Sequence, residues 1–175
     1  MLPWIFLVMQ LLFALLFFYL ALAFLTGAPF VPSTNTVSVT MVNMAQLKKG
    51  NRIYDLGSGD GRLLFLAAAR GAKTIGLEIN PYLVLYSNLK AMFSPFRKTV
   101  RTYWKNFWAT DFTNADVVFV YLLPWKMEKL EKKLLKEMKP GSKIVSNSFI
   151  FLHLPCTKKD PINHVYLFTI PKKRI

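Results

Sequence analysis

The chain has 175 residues, of which 53% are hydrophobic, and its 23 Lys and Arg against 9 Asp and Glu give a formal net charge of +14. That length holds one compact domain plus a short appendage and leaves little room for a second catalytic domain. The single cysteine, Cys156, excludes an internal disulfide, and no Cys/His cluster has zinc spacing, so no metal is expected.

The first 47 residues contain no Asp, Glu, Lys or Arg, so the whole charge lies from Lys48 onward. Such a field attracts anionic membrane surfaces or nucleic acid. Leu2 to Leu25 is apolar except for Gln10 and Tyr19, with Trp4 placed as an interfacial anchor. A helix of about 24 residues is about 36 Å long, against a hydrocarbon core of about 30 Å. The reading is a single transmembrane span, with residues 1–27 as anchor. A cleaved signal peptide is the alternative, with Ala21-Leu22-Ala23 as a small-x-small site. No basic residue precedes the stretch, however, and it exceeds the usual signal core. Lys48, Lys49 and Arg52 follow the span, which places the remainder on the cytoplasmic side by the positive-inside rule.

Residues 27–33 interrupt the first helix, and Ser33 or Thr34 can cap a second, amphipathic helix running to about Lys49. Residues 28–50 read as a juxtamembrane linker and helix lying close to the bilayer. From residue 51 strand and helix signals alternate, the pattern of an α/β domain with a largely parallel sheet. Strands are expected at Arg52 to Leu56, Thr74 to Glu78, Thr99 to Tyr103, Val117 to Tyr121, Lys143 to Ser148 and His164 to Ile170. Helices are expected at about Gly61 to Arg70, Pro81 to Phe93 and Pro124 to Met138. Met127, Leu130, Leu134 and Met138 recur at helical spacing and read as a core stripe.

The chemistry concentrates after the first strand. Gly57-x-Gly59-x-Gly61 makes a tight turn where open α/β sheets bind ligands, because glycines let a ligand approach the backbone. A dinucleotide fingerprint needs G-x-G-x-x-G, but here the third glycine comes one residue early and Arg62 stands in its place. Asp55 and Asp60 bracket the loop, and two carboxylates suit a cationic ligand better than a pyrophosphate. S-adenosylmethionine carries an ammonium, a sulfonium and no phosphate. No Gly-Lys-Ser/Thr follows, which removes a P-loop. Glu78 ends the second expected strand, where an acidic group can accept hydrogen bonds from ribose hydroxyls.

Together with Pro29-Phe30-Val31-Pro32, Tyr54 to Arg62, Gly76-Leu77-Glu78-Ile79-Asn80-Pro81, Asn106-Phe107-Trp108, Tyr121-Leu122-Leu123-Pro124, Met127 and Leu130-Glu131, the segment from Pro29 to about Phe149 resembles a known family. These are small class I lysine N-methyltransferases with an amino-terminal membrane segment, related to the mitochondrial enzymes that modify the ATP synthase c-subunit and the adenine nucleotide translocase. The resemblance implies a Rossmann-like sheet with helices on both faces, spanning residues 51–175, and S-adenosyl-L-methionine as cofactor. It implies that Asp55, Gly57, Ser58, Gly59, Asp60 and Gly61 hold the methionine portion. It likewise puts Glu78 with Ile79 and Asn80 at the ribose, and Asn106 and Phe107 beside the adenine. The wider methyltransferase pattern often has an acidic residue where Asn106 stands, although an amide can also bond an adenine edge. Phe107 and Trp108 read equally as core or as stacking residues.

Methyl transfer from a sulfonium is an in-line displacement in which alignment does most of the work. The loop Tyr121-Leu122-Leu123-Pro124-Trp125 falls where an acceptor amine enters in this fold, with Asp111, Tyr121 and Pro124 as candidate positioning groups. It lacks the Asn/Asp-Pro-Pro-aromatic motif common in enzymes that methylate nucleobase amines, which favours protein over base as substrate, and the anchor and the resemblance imply a lysine on a membrane-associated protein. Asn147 can contact cofactor or substrate, and His153 reads as a loop residue. An RNA methyltransferase drawn by the basic charge, and an inactive membrane-bound interaction module, stay as alternatives. The retained Asp55, glycines and Glu78 argue against the second.

Overall fold

The computed structural model describes residues 2–26 and 33–172, with side chains in the first stretch described at 4–18 and at 21. Helix α1 spans Leu2–Thr26, and its side chains from Trp4 to Phe18 are all exposed. Among the described residues, no helix is long and apolar enough to cross a membrane. α1 is thus described as an exposed apolar helix, and the described residues do not by themselves carry the expected span.

Helix α2, Asn35–Ala45, starts where Thr34 caps it, the side-chain hydroxyl accepting the Val37 N–H at 3.3 Å. It ends at Gln46, whose left-handed φ of 50° turns the chain. It buries Met41, Val42, Met44 and Ala45 against the sheet.

Seven strands follow, interleaved with three helices and then a hairpin: β1 Arg52–Leu56, α3 Arg62–Ala68, β2 Lys73–Glu78, α4 Pro81–Met92, β3 Val100–Trp104, β4 Val117–Val120, α5 Pro124–Glu137, β5 Lys143–Asn147, β6 Cys156–Asp160 and β7 Val165–Thr169. They form one sheet in the order β3-β2-β1-β4-β5-β7-β6. β1 to β5 run parallel, while β7 is antiparallel to both β5 and β6. Each expected strand is present to within one residue at either end. The unexpected strand is β6: its Cys-Thr-Lys-Lys-Asp sequence is polar and almost wholly exposed, as a lysine-bearing edge strand should be.

Alternation along the central strands separates two cores. Ile53, Val117, Phe119 and Val145 pack under α2 and α3, whereas Tyr54, Leu56, Val118, Val120 and Ile144 pack under α5. Helices therefore cover both faces. Met127, Leu130, Leu134 and Met138 are at most 4% exposed, so the helical stripe is core as expected. Glu131, between them, is buried too.

Candidate active site

Order reverses between β1 and β4, so the carboxyl ends of these two strands open a crevice at a topological switch point. The chain leaving β1 enters it as Gly57, Ser58, Gly59, Asp60 and Gly61. Gly57, Gly59 and Gly61 all have positive φ, between 54° and 79°. At Gly61 a Cβ would also stand 2.4 Å from Ser87 Oγ, so the start of α3 admits only glycine without rearrangement.

Glu78 organises the loops around it. One carboxylate oxygen accepts the Gly59 N–H at 2.9 Å; the other accepts the N–H groups of Ile79 at 2.9 Å and Asn80 at 2.8 Å. One side chain at the end of β2 thus fixes both the glycine loop and the turn into α4. Asn80 then caps α4 by accepting the Tyr82 N–H at 3.0 Å, and Pro81 occupies the first helical turn.

Asp55 lies beneath the loop, 4% exposed. Burial, then the neighbouring carboxylates of Glu78 and Asp60, push its pKa up to about 8. Asp60 behaves oppositely. Partial burial works against its ionisation, but hydrogen bonds from Arg62 hold it below the usual carboxylate range, with an ion pair at 2.9 Å. Ser58 Oγ is buried without a hydrogen-bond partner among the described residues. A carboxyl kept from ionising by burial and by other carboxylates, beside an orphaned hydroxyl and glycine backbone, fits a ligand with cationic and hydroxyl groups.

A further set of contacts closes over this floor. Arg62 Nη1 donates to the Ser33 carbonyl, and Asn147 Nδ2, at the end of β5, donates to Ser33 Oγ at 3.2 Å. Ser33 and Arg62 were not expected in the site. Arg62 was visible only as the residue displacing a third Rossmann glycine. Asn147 is fixed further by the Ser148 hydroxyl at 2.8 Å, and Ser148 takes a left-handed φ of 67°.

The other predicted residues divide. Tyr121 follows β4 at the same rim and stacks on Phe149 with ring centroids 6.4 Å apart; Pro124 opens α5 beside it. Trp125, in the first turn of α5, and Ile150 and Leu152, on the loop after β5, are exposed. Asn106 spends its side-chain oxygen capping a 3-10 turn at Phe107–Ala109 by accepting the Trp108 N–H at 3.0 Å. Phe107 is 7% exposed within the core under α5. Asp111 is not brought to the site. It is exposed, and bonds to the Thr113 N–H and hydroxyl hold its carboxyl below the usual range. The next residue, Phe112, donates its N–H to Glu137 in the last turn of α5, so this turn lies toward the amino ends of the strands, away from the crevice. His153 and Glu131 are joined, contrary to the plain loop role expected for His153.

Five parallel strands, an antiparallel final hairpin and a glycine loop at the β1/β4 switch define a Rossmann-like class I methyltransferase fold. The chain belongs to the family of the ANTKMT methyltransferase domain, whose family model matches residues 55–158. It is 35% identical over 125 residues to the ATP synthase C-subunit lysine N-methyltransferase of Rattus norvegicus, covering 71% of this chain and 57% of that protein. A protein-lysine N-methyltransferase of Saccharolobus islandicus is 33% identical over 132 residues, 73% of this chain and 81% of that one. Among solved structures, an RNA methyltransferase from Salinibacter ruber in complex with S-adenosyl-L-homocysteine aligns with a TM-score of 0.77 and 31% identity, over 82% of this chain and 95% of that one. The chain spans about half the length of the mammalian ATP synthase-modifying relatives, 49–57%.

Proposed function

We propose that this chain is an S-adenosylmethionine-dependent protein-lysine N-methyltransferase acting on a membrane-associated protein. The observation that carries the reading is the buried carboxyl of Asp55 beside Glu78 under a glycine loop. That floor suits a cationic ligand and repels a pyrophosphate.

When bound, S-adenosylmethionine supplies an activated methyl group on a sulfonium. Asp55 and the backbone of Gly57 to Gly61 would hold its amino-acid portion, and Glu78, with Ile79 and Asn80 fixed around it, would hold the ribose. Asn106 has an amide nitrogen that its cap does not use, and this can border the adenine. An attacking lysine must be neutral, yet at an unperturbed pKa of about 10.4 only about one in a thousand is neutral near pH 7.4. Tyr121, Pro124, Trp125, Ile150 and Leu152 form an apolar rim that strips water from an entering amine and so lowers its pKa. The names of the rat and Saccharolobus relatives support lysine as the acceptor.

Attachment to a bilayer through α1 belongs to the same reading. Its described side chains from Trp4 to Phe18 are uncharged and exposed, and Lys48, Lys49 and Arg52 follow on what would be the cytoplasmic side. Resistance of the full chain to extraction from membranes by alkaline carbonate tests that attachment; complete release refutes it.

The test of activity has two stages. Calorimetry should detect S-adenosylmethionine binding, and a folded chain that binds none refutes every methyltransferase reading. Incubation with isolated membranes and labelled cofactor should then place the label on lysine. Label confined to RNA would favour the second reading, RNA methyl transfer, which the Salinibacter likeness and the +14 charge support. RNA binding should in that case weaken steeply with salt.

A further inference from the structure

The side of α4 that faces the sheet buries Ser87 and Ala91, with Leu83, Val84 and Asn88 partly buried beside them. Ser87 Oγ lies 2.8 Å from Thr102 Oγ1 of β3. Asn88 donates through Nδ2 to the Thr102 carbonyl at 2.8 Å and accepts the Thr102 N–H at 3.0 Å. Its amide therefore satisfies backbone groups of an edge strand that no further strand pairs.

The opposite side of α4 carries what a water-facing helix should not. Tyr82, Leu85, Tyr86, Leu89 and Phe93 recur at i, i+3, i+4, i+7 and i+11, and are 82, 59, 55, 44 and 83% exposed. On β3, Trp104 lies on the same face as Thr102 and extends the exposed aromatic character to the sheet edge, at 71%. A continuous apolar face of this kind marks an interaction surface.

Charge identifies the occupant. Residues 79–110 contain Lys90, Arg97, Lys98, Arg101 and Lys105 and no Asp or Glu. A second copy docked through a two-fold axis would bring these cations against themselves. Leucines and a methionine gain nothing from a phosphate backbone. Aromatic and aliphatic side chains among Lys and Arg, with no acid between them, instead match the boundary of an anionic bilayer, where rings settle at headgroup level and cations meet lipid phosphates. We propose that the outer face of α4, with the end of β3, is a docking surface for an anionic lipid bilayer. Docking there depends neither on methyl transfer nor on α1. Because α4 begins at Pro81, directly after Glu78 to Asn80, it also turns the cofactor crevice toward the membrane surface.

The test is amide hydrogen exchange on the full chain bound to vesicles of phosphatidylcholine, or of phosphatidylcholine mixed with phosphatidylserine. On the mixed vesicles, exchange across residues 81–93 should slow about tenfold relative to the neutral ones, and added salt should reverse part of the effect. The variant carrying Leu85→Ser, Tyr86→Ser and Phe93→Ser should lose this slowing while β4 exchanges as before, which shows that the fold is kept. Equal exchange on both vesicle types overturns the proposal, as does slowing that survives the triple substitution. Slowing that appears without vesicles and grows with protein concentration overturns it in favour of a second copy.

Discussion

Glu131 holds His153 twice: its buried carboxylate accepts the His153 backbone N–H at 2.8 Å and meets the exposed ring at Nδ1, 2.9 Å away. The same carboxylate accepts the Leu154 N–H at 2.7 Å. An acid on the core side of α5 thus ties down the loop between β5 and β6, which carries Ile150 and Leu152 at the rim. Glu131→Ala leaves two backbone donors without their acceptor and should cost about 2–4 kcal/mol, whereas Glu131→Gln keeps an acceptor and should cost less. Chemical denaturation reads both. His153→Ala should change stability by under about 1 kcal/mol, because two of the three bonds are to backbone.

Glu78 anchors three backbone N–H groups from two loops, so its loss should act on the crevice rather than on one ligand contact. Glu78→Ala is expected to weaken S-adenosylmethionine binding by about a hundredfold or more, with Glu78→Gln falling between it and the parent. Calorimetry measures the affinities, and an unchanged affinity in Glu78→Ala would remove Glu78 from the site.

The raised pKa of Asp55 has a definite sign. Its folded-state value of about 8 lies above the ordinary 3.8, so the ligand-free folded chain holds this proton more tightly than the unfolded chain. Stability from the protonated carboxyl is fully present below pH 3.8 and is lost as pH rises toward about 8. Asp55→Asn, which cannot ionise, should flatten the fall in melting temperature across that window. A cationic ligand reverses the preference, so binding below pH 8 should release a proton, and affinity should rise with pH until that point. Calorimetry in buffers of different ionisation enthalpy counts the proton; none released contradicts the assignment.

Gly76 of β2 has no room for a side chain. A Cβ there would stand 2.4 Å from Ser58 Oγ, 2.9 Å from Ser58 Cβ and 2.8 Å from a Leu64 methyl. Gly76→Ala should destabilise by about 1–3 kcal/mol and displace the glycine loop, lowering cofactor affinity as well. Adding Ser58→Gly removes two of the three close approaches and should recover part of the stability in thermal melts.

Much of this was legible in the order of residues, and the reasons are local. The parallel strands announce themselves because Val117 to Val120 is apolar on both faces, as strands covered by helices must be. The loop from Gly57 to Gly61 was readable because positive φ demands glycine. What escaped depends on contacts distant in sequence. Glu131 reads as one more charge on a Lys- and Glu-rich helix until the loop 22 residues later folds onto it. Asp111 sits near the expected acceptor loop in sequence, yet the crossing from β3 to β4 leaves it toward the amino ends of the strands, away from the crevice. β6 carries no apolar alternation, because its partner β7 supplies the buried side chains.

The way Glu78 works bears on how freely such a site can diverge. It grips main-chain N–H groups, which every residue but proline supplies, so the side chains at Ile79 and Asn80 can change across descendants without loosening the grip. The architecture is inherited through a single carboxylate, while its neighbours are left to selection for whatever passes across the rim.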